Sequence, residues 1–258
     1  MPVRSFVFKW DGQECPSYKS VRSFHSFQQA HAMTPTNILT TTATHVRETL
    51  AGDSSGHDWW HIDRVRRNAL LVAREEGADL FVTELAALLH DIADWKFHGG
   101  DDTAGPRAAR EWLNRCEADA ALIEHVCEII ATLSFKGAGV ATEMQTLEGR
   151  CVQDGDRLDA IGAVGIARAF AFGGHFGRAM YDPDVPPELH QSFAAYKQKG
   201  GPTINHFYEK LLLLKDRMQT AAGRRLAAER HQFMEQYLTQ FFAEWNGQSH
   251  HLIAPTPQ

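Results

Sequence analysis

The stretch DLFVTELAALLHDIADW, residues 79–95, decides the fold. Leu80, Phe81, Leu85, Leu88, Leu89 and Ile92 recur at intervals of three and four, which predicts a strongly apolar helix from Asp79 to about Trp95. The run closes on two ionisable groups, His90 and Asp91, where burial alone would favour Leu or Ala.

On the N-terminal side, Ser54 and Ser55 are candidate caps for a helix over His57–Glu76. That helix carries Ile62, Val65, Ala69, Val72 and Ala73 on one face and stops at Gly77. On the C-terminal side, Thr103–Cys116 and Asp119–Leu133 read as two more helices, Gly137 and Gly139 mark a turn, and Leu147–Phe172 reads as one long helix. Residues 173–203 gather Gly173-Gly174, Pro183, Pro186-Pro187, Gly200-Gly201 and Pro202, the composition of an extended loop or lid. Ile204–Ala222 and Ala227–Trp245 follow as helices, and residues 246–258 read as a flexible tail. Residues 1–52 are rich in Ser, Thr, Gln and His, without a clear period, and are expected to form a poorly structured N-terminal extension. Met33 is a second candidate start for the working protein. No strand pattern stands out, so the expected class is all-α, with one domain over residues 53–245.

Composition narrows the function. The chain has 258 residues, 26 Lys plus Arg against 32 Asp plus Glu, and a net charge of -6, which argues against a broad basic track for nucleic acid. Cys15, Cys116, Cys127 and Cys151 show no C-x-x-C spacing and make no disulfide framework. The apolar run near the N-terminus is too short for a signal peptide, and no stretch has the length of a membrane span. The expected location is the cytoplasm. Gly52-Asp53-Ser54-Ser55-Gly56 fits a nucleophile-elbow spacing, but the residues before it do not read as the strand that motif needs.

The chemistry gathers in His61, the His90-Asp91 pair and Asp156. Neighbours on a helix point about 100° apart, so His90 and Asp91 cannot share one apolar face. They can converge on an ion off the helix if other helices complete its shell. Two histidines and two aspartates without thiolate suit Mn, Fe, Co, Ni, Zn or Mg and leave positions open for water and substrate.

At these residues the sequence resembles the HD-domain metal-dependent phosphohydrolase superfamily, and more closely its YpgQ/YedJ-type subgroup. The phrases that carry the resemblance are SGHDWWHIDRV (55–65), AALLHDIADWKF (86–97), SFKG (134–137), DRLDAIGAVGIARAF (156–170) and INHFYEKLLLLKDRM (204–218), spread over about residues 53–245. The resemblance implies an HD-domain helical bundle with one divalent ion, Mn²⁺ favoured, on His61, His90, Asp91 and Asp156. It also implies hydrolysis of nucleoside triphosphates, deoxy forms included, to monophosphate and pyrophosphate by metal-activated water. Alternatives are a nucleotidase or cyclic-nucleotide phosphodiesterase on the same site, or a non-catalytic module that senses nucleotide or metal. Asp94, one helical turn beyond Asp91, is the candidate for positioning or deprotonating water. Lys96, Lys136, Arg157, His57 and His125 are the candidate substrate contacts, with Arg64 and Arg67 as further cations for phosphate. Asp159 shares a face with Asp156 and is either a support for a ligand or the partner of a nearby cation. His175 is an outside candidate from the lid. The small-molecule partner is a nucleotide, and Phe207, Tyr208, Phe241, Phe242 and Trp245 offer a face for a homodimer. One departure is Gly155, where the resemblance implies Ala. Glycine inside a helix costs about 1 kcal/mol against Ala and is expected to loosen the segment that presents Asp156.

Overall fold

A computed structural model describes residues 33–52, 58–93, 101–133, 144–189 and 201–248. Among them the regular structure is helical throughout, as the periodicity implies. Helix α1 spans Pro35–Thr49, α2 Trp59–Glu76, α3 Leu80–Leu89, α4 Ala104–Arg115, α5 Ala120–Thr132, α6 Leu147–Asp159 and α7 Gly162–His175. Helix α8 spans Thr203–Glu209, two 3-10 turns follow at Leu211–Leu213 and Lys215–Arg217, and α9 runs over Ala221–Trp245. No helix among the described residues is long and apolar enough to cross a membrane.

Local chemistry sets the helix starts that matter for the site. Asp58, whose side chain accepts from His61 N at 3.0 Å, caps α2. Asp79 caps α3 by accepting from the backbone of Phe81 and Val82. Helices α2 and α6 pack along each other at the centre and divide two apolar clusters. One gathers Ile62, Val65, Leu85, Leu88, Ile129 and Val152; the other gathers Val72, Leu158, Ile161, Phe207, Leu214 and Met234. Gly155 sits where the two central helices touch. A Cβ there would lie 2.8 Å from Ala69 N and 2.9 Å from Ala69 Cβ. Besides its cost in helix propensity, the glycine therefore permits a close crossing of α2 and α6.

Some expectations are corrected. The N-terminal extension is not irregular through residue 52. Helix α1 is capped by Thr34, begins with Pro35, and buries Ile38 and Val46 in the first cluster. Its apolar stripe is narrow and interrupted by threonines, which hid the period. The helix expected over Asp79 to about Trp95 ends at Leu89, with His90 at its C-cap.

The long helix expected over Leu147–Phe172 is two helices. Ile161 is extended (φ -126°, ψ 167°) and Gly162 has φ 74°, a left-handed conformation that a side chain would disfavour. Arg230 donates to the carbonyl of Leu158, one of the acceptors left open where α6 ends. Helix α7 then continues through Gly173-Gly174 to His175, into the segment expected to be loop.

The helix expected over Ile204–Ala222 is likewise broken. Lys210 leaves helical geometry, Leu211 and Leu214 are buried at the three-residue period of a 3-10 turn, and the chain then extends at Met218. The buried Asp154 carboxylate draws it out of the helix by accepting from Gln219 N, Thr220 N and Thr220 Oγ1. Phe207, expected on a dimer face, is fully buried in the second cluster.

Candidate metal centre

Three helices bring their donors to one point. Helix α2 supplies His61, its third residue; α3 supplies His90 at its C-cap and passes Asp91 to the turn that follows; α6 supplies Asp156 from its last turn. His61 Nε2 lies 3.3 Å from His90 Nε2, 3.3 Å from Asp91 Oδ2 and 3.7 Å from Asp156 Oδ1. His90 Nε2 lies 3.6 Å from Asp91 Oδ2. Donor atoms from His61, His90 and Asp156 all fall within 4.8 Å of one another. Around an ion with bonds of about 2.0–2.2 Å, neighbouring donors sit about 3.0–3.5 Å apart, so a modest contraction would close this set on a cation.

The far side of each imidazole fixes which nitrogen faces inward. His90 Nδ1 lies 2.8 Å from the carbonyl of Ala87, which can only accept, so Nδ1 carries the proton. His61 Nδ1 lies 2.8 Å from Asp159 Oδ2 and donates to it. Both rings thus direct Nε2 lone pairs at each other and at two carboxylates. A cation resolves that repulsion, and the residues present fit a divalent ion. The histidines are buried, whereas the side chains of Asp91 and Asp156 are 17% and 34% exposed, so the open side of the centre is the carboxylate side.

Asp159 is 1% exposed. Besides His61, it accepts from Arg64 Nε at 2.7 Å, Arg64 Nη2 at 3.1 Å and Arg168 Nη1 at 2.9 Å. Burial alone would push its carboxyl up. The hydrogen bonds from His61 and Arg64 and the charge of Arg168 outweigh burial and hold it well below the usual carboxylate range. Asp159 therefore accepts the His61 hydrogen bond without taking the proton. At His61, burial and Arg168 oppose protonation, but the carboxylates of Asp159 and Asp91 prevail and raise its pKa above the usual histidine value.

The structure brings together the four expected donors and Asp159, and it places two expected substrate contacts elsewhere. Arg157 is buried and donates to the carbonyl of Arg217; burial lowers its pKa to about 10. His125 Nε2 lies 3.7 Å from Glu148 Oε2, and Glu148 precedes Asp156 by about 12 Å of helix at 1.5 Å per residue. Asp94, Lys96, Lys136 and His57 lie outside the described residues. His175 ends α7 with its ring edge-on to Phe176. The grip of Arg64 and Arg168 on Asp159 was not foreseen. Its one sequence signal is Arg64 lying three residues after His61, on the same side of α2.

Comparison with known proteins agrees with this geometry. The HD domain family matches residues 59–161, which include all four donors and Asp159. The Bacillus subtilis protein YpgQ is 41% identical over 205 residues, covering 76% of this chain and 88% of YpgQ. A solved structure from Lactobacillus plantarum is 40% identical with a TM-score of 0.74, covering 83% of this chain and 99% of that one. An HD-superfamily hydrolase from Bacillus thuringiensis is 43% identical with a TM-score of 0.64, covering 83% and 100%. YpgQ itself, solved in complex with ADP, aligns at 39% identity and a TM-score of 0.61, covering 80% and 97%. By its donor cluster, helical scaffold and these likenesses, the chain belongs to the HD-domain superfamily of hydrolases, in the group that includes YpgQ.

Proposed function

We propose that the chain is a metal-dependent phosphohydrolase that cleaves nucleoside triphosphates, deoxy forms included, to monophosphate and pyrophosphate. The observation that carries this reading is the convergence of His61, His90, Asp91 and Asp156 with both histidines oriented through Nδ1. The ADP complex of the similar YpgQ supports a nucleotide as the substrate class. The four donors would hold one ion, Mn²⁺ by preference, with Mg²⁺, Co²⁺, Ni²⁺, Fe²⁺ or Zn²⁺ also suited to an N/O set. Such an ion, when bound, supplies a water of lowered pKa and polarises a phosphoryl oxygen.

The protein's own groups do the rest. Asp159, held by Arg64 and Arg168, keeps the His61 ring in place with its proton on Nδ1. Asp91 and Asp156 leave the solvent side open for water and substrate. Asp94 is proposed to position or deprotonate the attacking water, and Lys96, Lys136 and His57 to meet the phosphates. Attack at the α-phosphorus forms the new P–O bond as the bond to the β-phosphate bridging oxygen breaks. Pyrophosphate leaves with that electron pair. Arg157, which donates to the Arg217 carbonyl, and His125, beside Glu148, are not given this role.

The test is a panel of NTPs, dNTPs and monophosphates incubated with Mn²⁺, with products identified. Monophosphate plus pyrophosphate, lost in His61→Ala and Asp91→Ala, is expected. Release of phosphate from a monophosphate would support the nucleotidase alternative, and tight nucleotide binding without turnover would support a sensor.

A further inference from the structure

A cavity of about 440 Å³ lies beside the metal centre between α2, the start of α7 and α9. Asp159 belongs to its wall and separates it from His61. The volume is in the range of small-molecule sites. Three arginines line the cavity, Arg64, Arg67 and Arg230, against two acidic residues, Asp159 and Glu229. Each arginine keeps donors to spare. Arg64 uses Nε and Nη2 on Asp159, leaving Nη1. Arg230 uses Nη1 on Leu158 O and Nη2 on Asn68 Oδ1, leaving Nε. Arg67 uses Nη2 on Asp63 Oδ2 and is otherwise open. The lining also has an apolar part, with Ile161 buried and Val164 and Phe233 43% and 47% exposed. The first turn of α7, which has no side-chain cap, adds backbone N–H groups at the same end.

We propose that this cavity binds a phosphate monoester with a flat apolar body, the chemistry of a nucleoside monophosphate. The phosphate faces the arginines and the ring lies against Val164 and Phe233. Spare donors on three separate side chains match the several terminal oxygens of a phosphate better than the two of a carboxylate. The apolar lining gives the organic part a place that inorganic phosphate would leave empty. None of the four metal donors lines this site.

The experiment titrates AMP calorimetrically into the full chain stripped of metal with EDTA, with inorganic phosphate and adenosine as probes that each lack one half. AMP is expected to bind at least ten-fold more tightly than either. Val164→Trp, which fills the cavity, and Arg67→Glu, which reverses an exposed charge, are each expected to weaken AMP at least ten-fold with unfolding temperatures near wild type. Asp91→Ala, which acts at the metal centre alone, is expected to leave AMP affinity unchanged. Absence of AMP binding overturns the proposal. So does binding that survives Arg67→Glu and Val164→Trp, or binding abolished by Asp91→Ala, which would assign AMP to the metal centre.

Discussion

Asp159 joins one metal donor to two cations, and its substitution separates orientation from ligation. In Asp159→Asn the side-chain oxygen can still accept from His61 Nδ1 and Arg168 Nη1, but the amide nitrogen then takes the place of Oδ1 and faces Arg64 Nε, which only donates. The partner of the His61 ring is then no longer anchored as firmly, while all four donors remain. Loss of such a supporting carboxylate weakens metal affinity by about 10–100-fold. Calorimetric titration with Mn²⁺ measures it directly, and wild-type affinity in this variant would remove the orienting role. The four donors were legible because each stands out chemically against an apolar helical pattern. The partners of Asp159 were not. On a continuous helix Arg168 would stand about 13 Å from Asp159, nine residues at 1.5 Å each. The break at Ile161-Gly162 folds it back to 2.9 Å.

Helix breaks are where periodicity fails, because a buried residue on either side of a break continues the apolar count. Ile161 is 1% exposed yet extended, and Leu211, in a 3-10 turn, and Leu214, between the two turns, are buried, so neither break looks polar in sequence. Helix α1 fails in the opposite sense, with few apolar residues and an N-cap that is plain only once the helix is known. The α2–α6 pair yields a prediction at this scale. Gly155→Ala gains about 1 kcal/mol of helix propensity. It also forces a methyl group against the Ala69 backbone, and such overpacking costs about 1–3 kcal/mol. The balance is a net loss of up to about 2 kcal/mol, read as a lower urea midpoint. It is accompanied by weaker Mn²⁺ binding, since His61 and Asp156 sit on the two helices that must part. A raised midpoint would mean that the crossing yields freely.

Across the whole molecule, the metal centre ties three helices together, so the ion should stabilise the fold and not only the site. A ligand that binds only the folded state contributes about 2.7 kcal/mol at 100 times its Kd. For a chain of this size that corresponds to a rise of about 5–10 °C in Tm. The rise depends on pH through His61, whose folded-state pKa is raised by Asp159 and Asp91. Without metal, the proton on His61 stabilises the fold. That contribution is fully present below about pH 6.5, the ordinary value in the unfolded chain, and is lost as pH climbs through the raised folded-state value. With metal the sign reverses, because the ion needs neutral Nε2 and must displace the proton. Asp159, held far below the usual carboxylate range, stays charged throughout and contributes no slope. The gap in Tm between Mn²⁺-loaded and EDTA-treated protein should therefore widen from pH 6 to pH 8. Scanning calorimetry at both pH values under both conditions measures it, and a gap that stays constant or narrows would contradict proton–metal competition at His61.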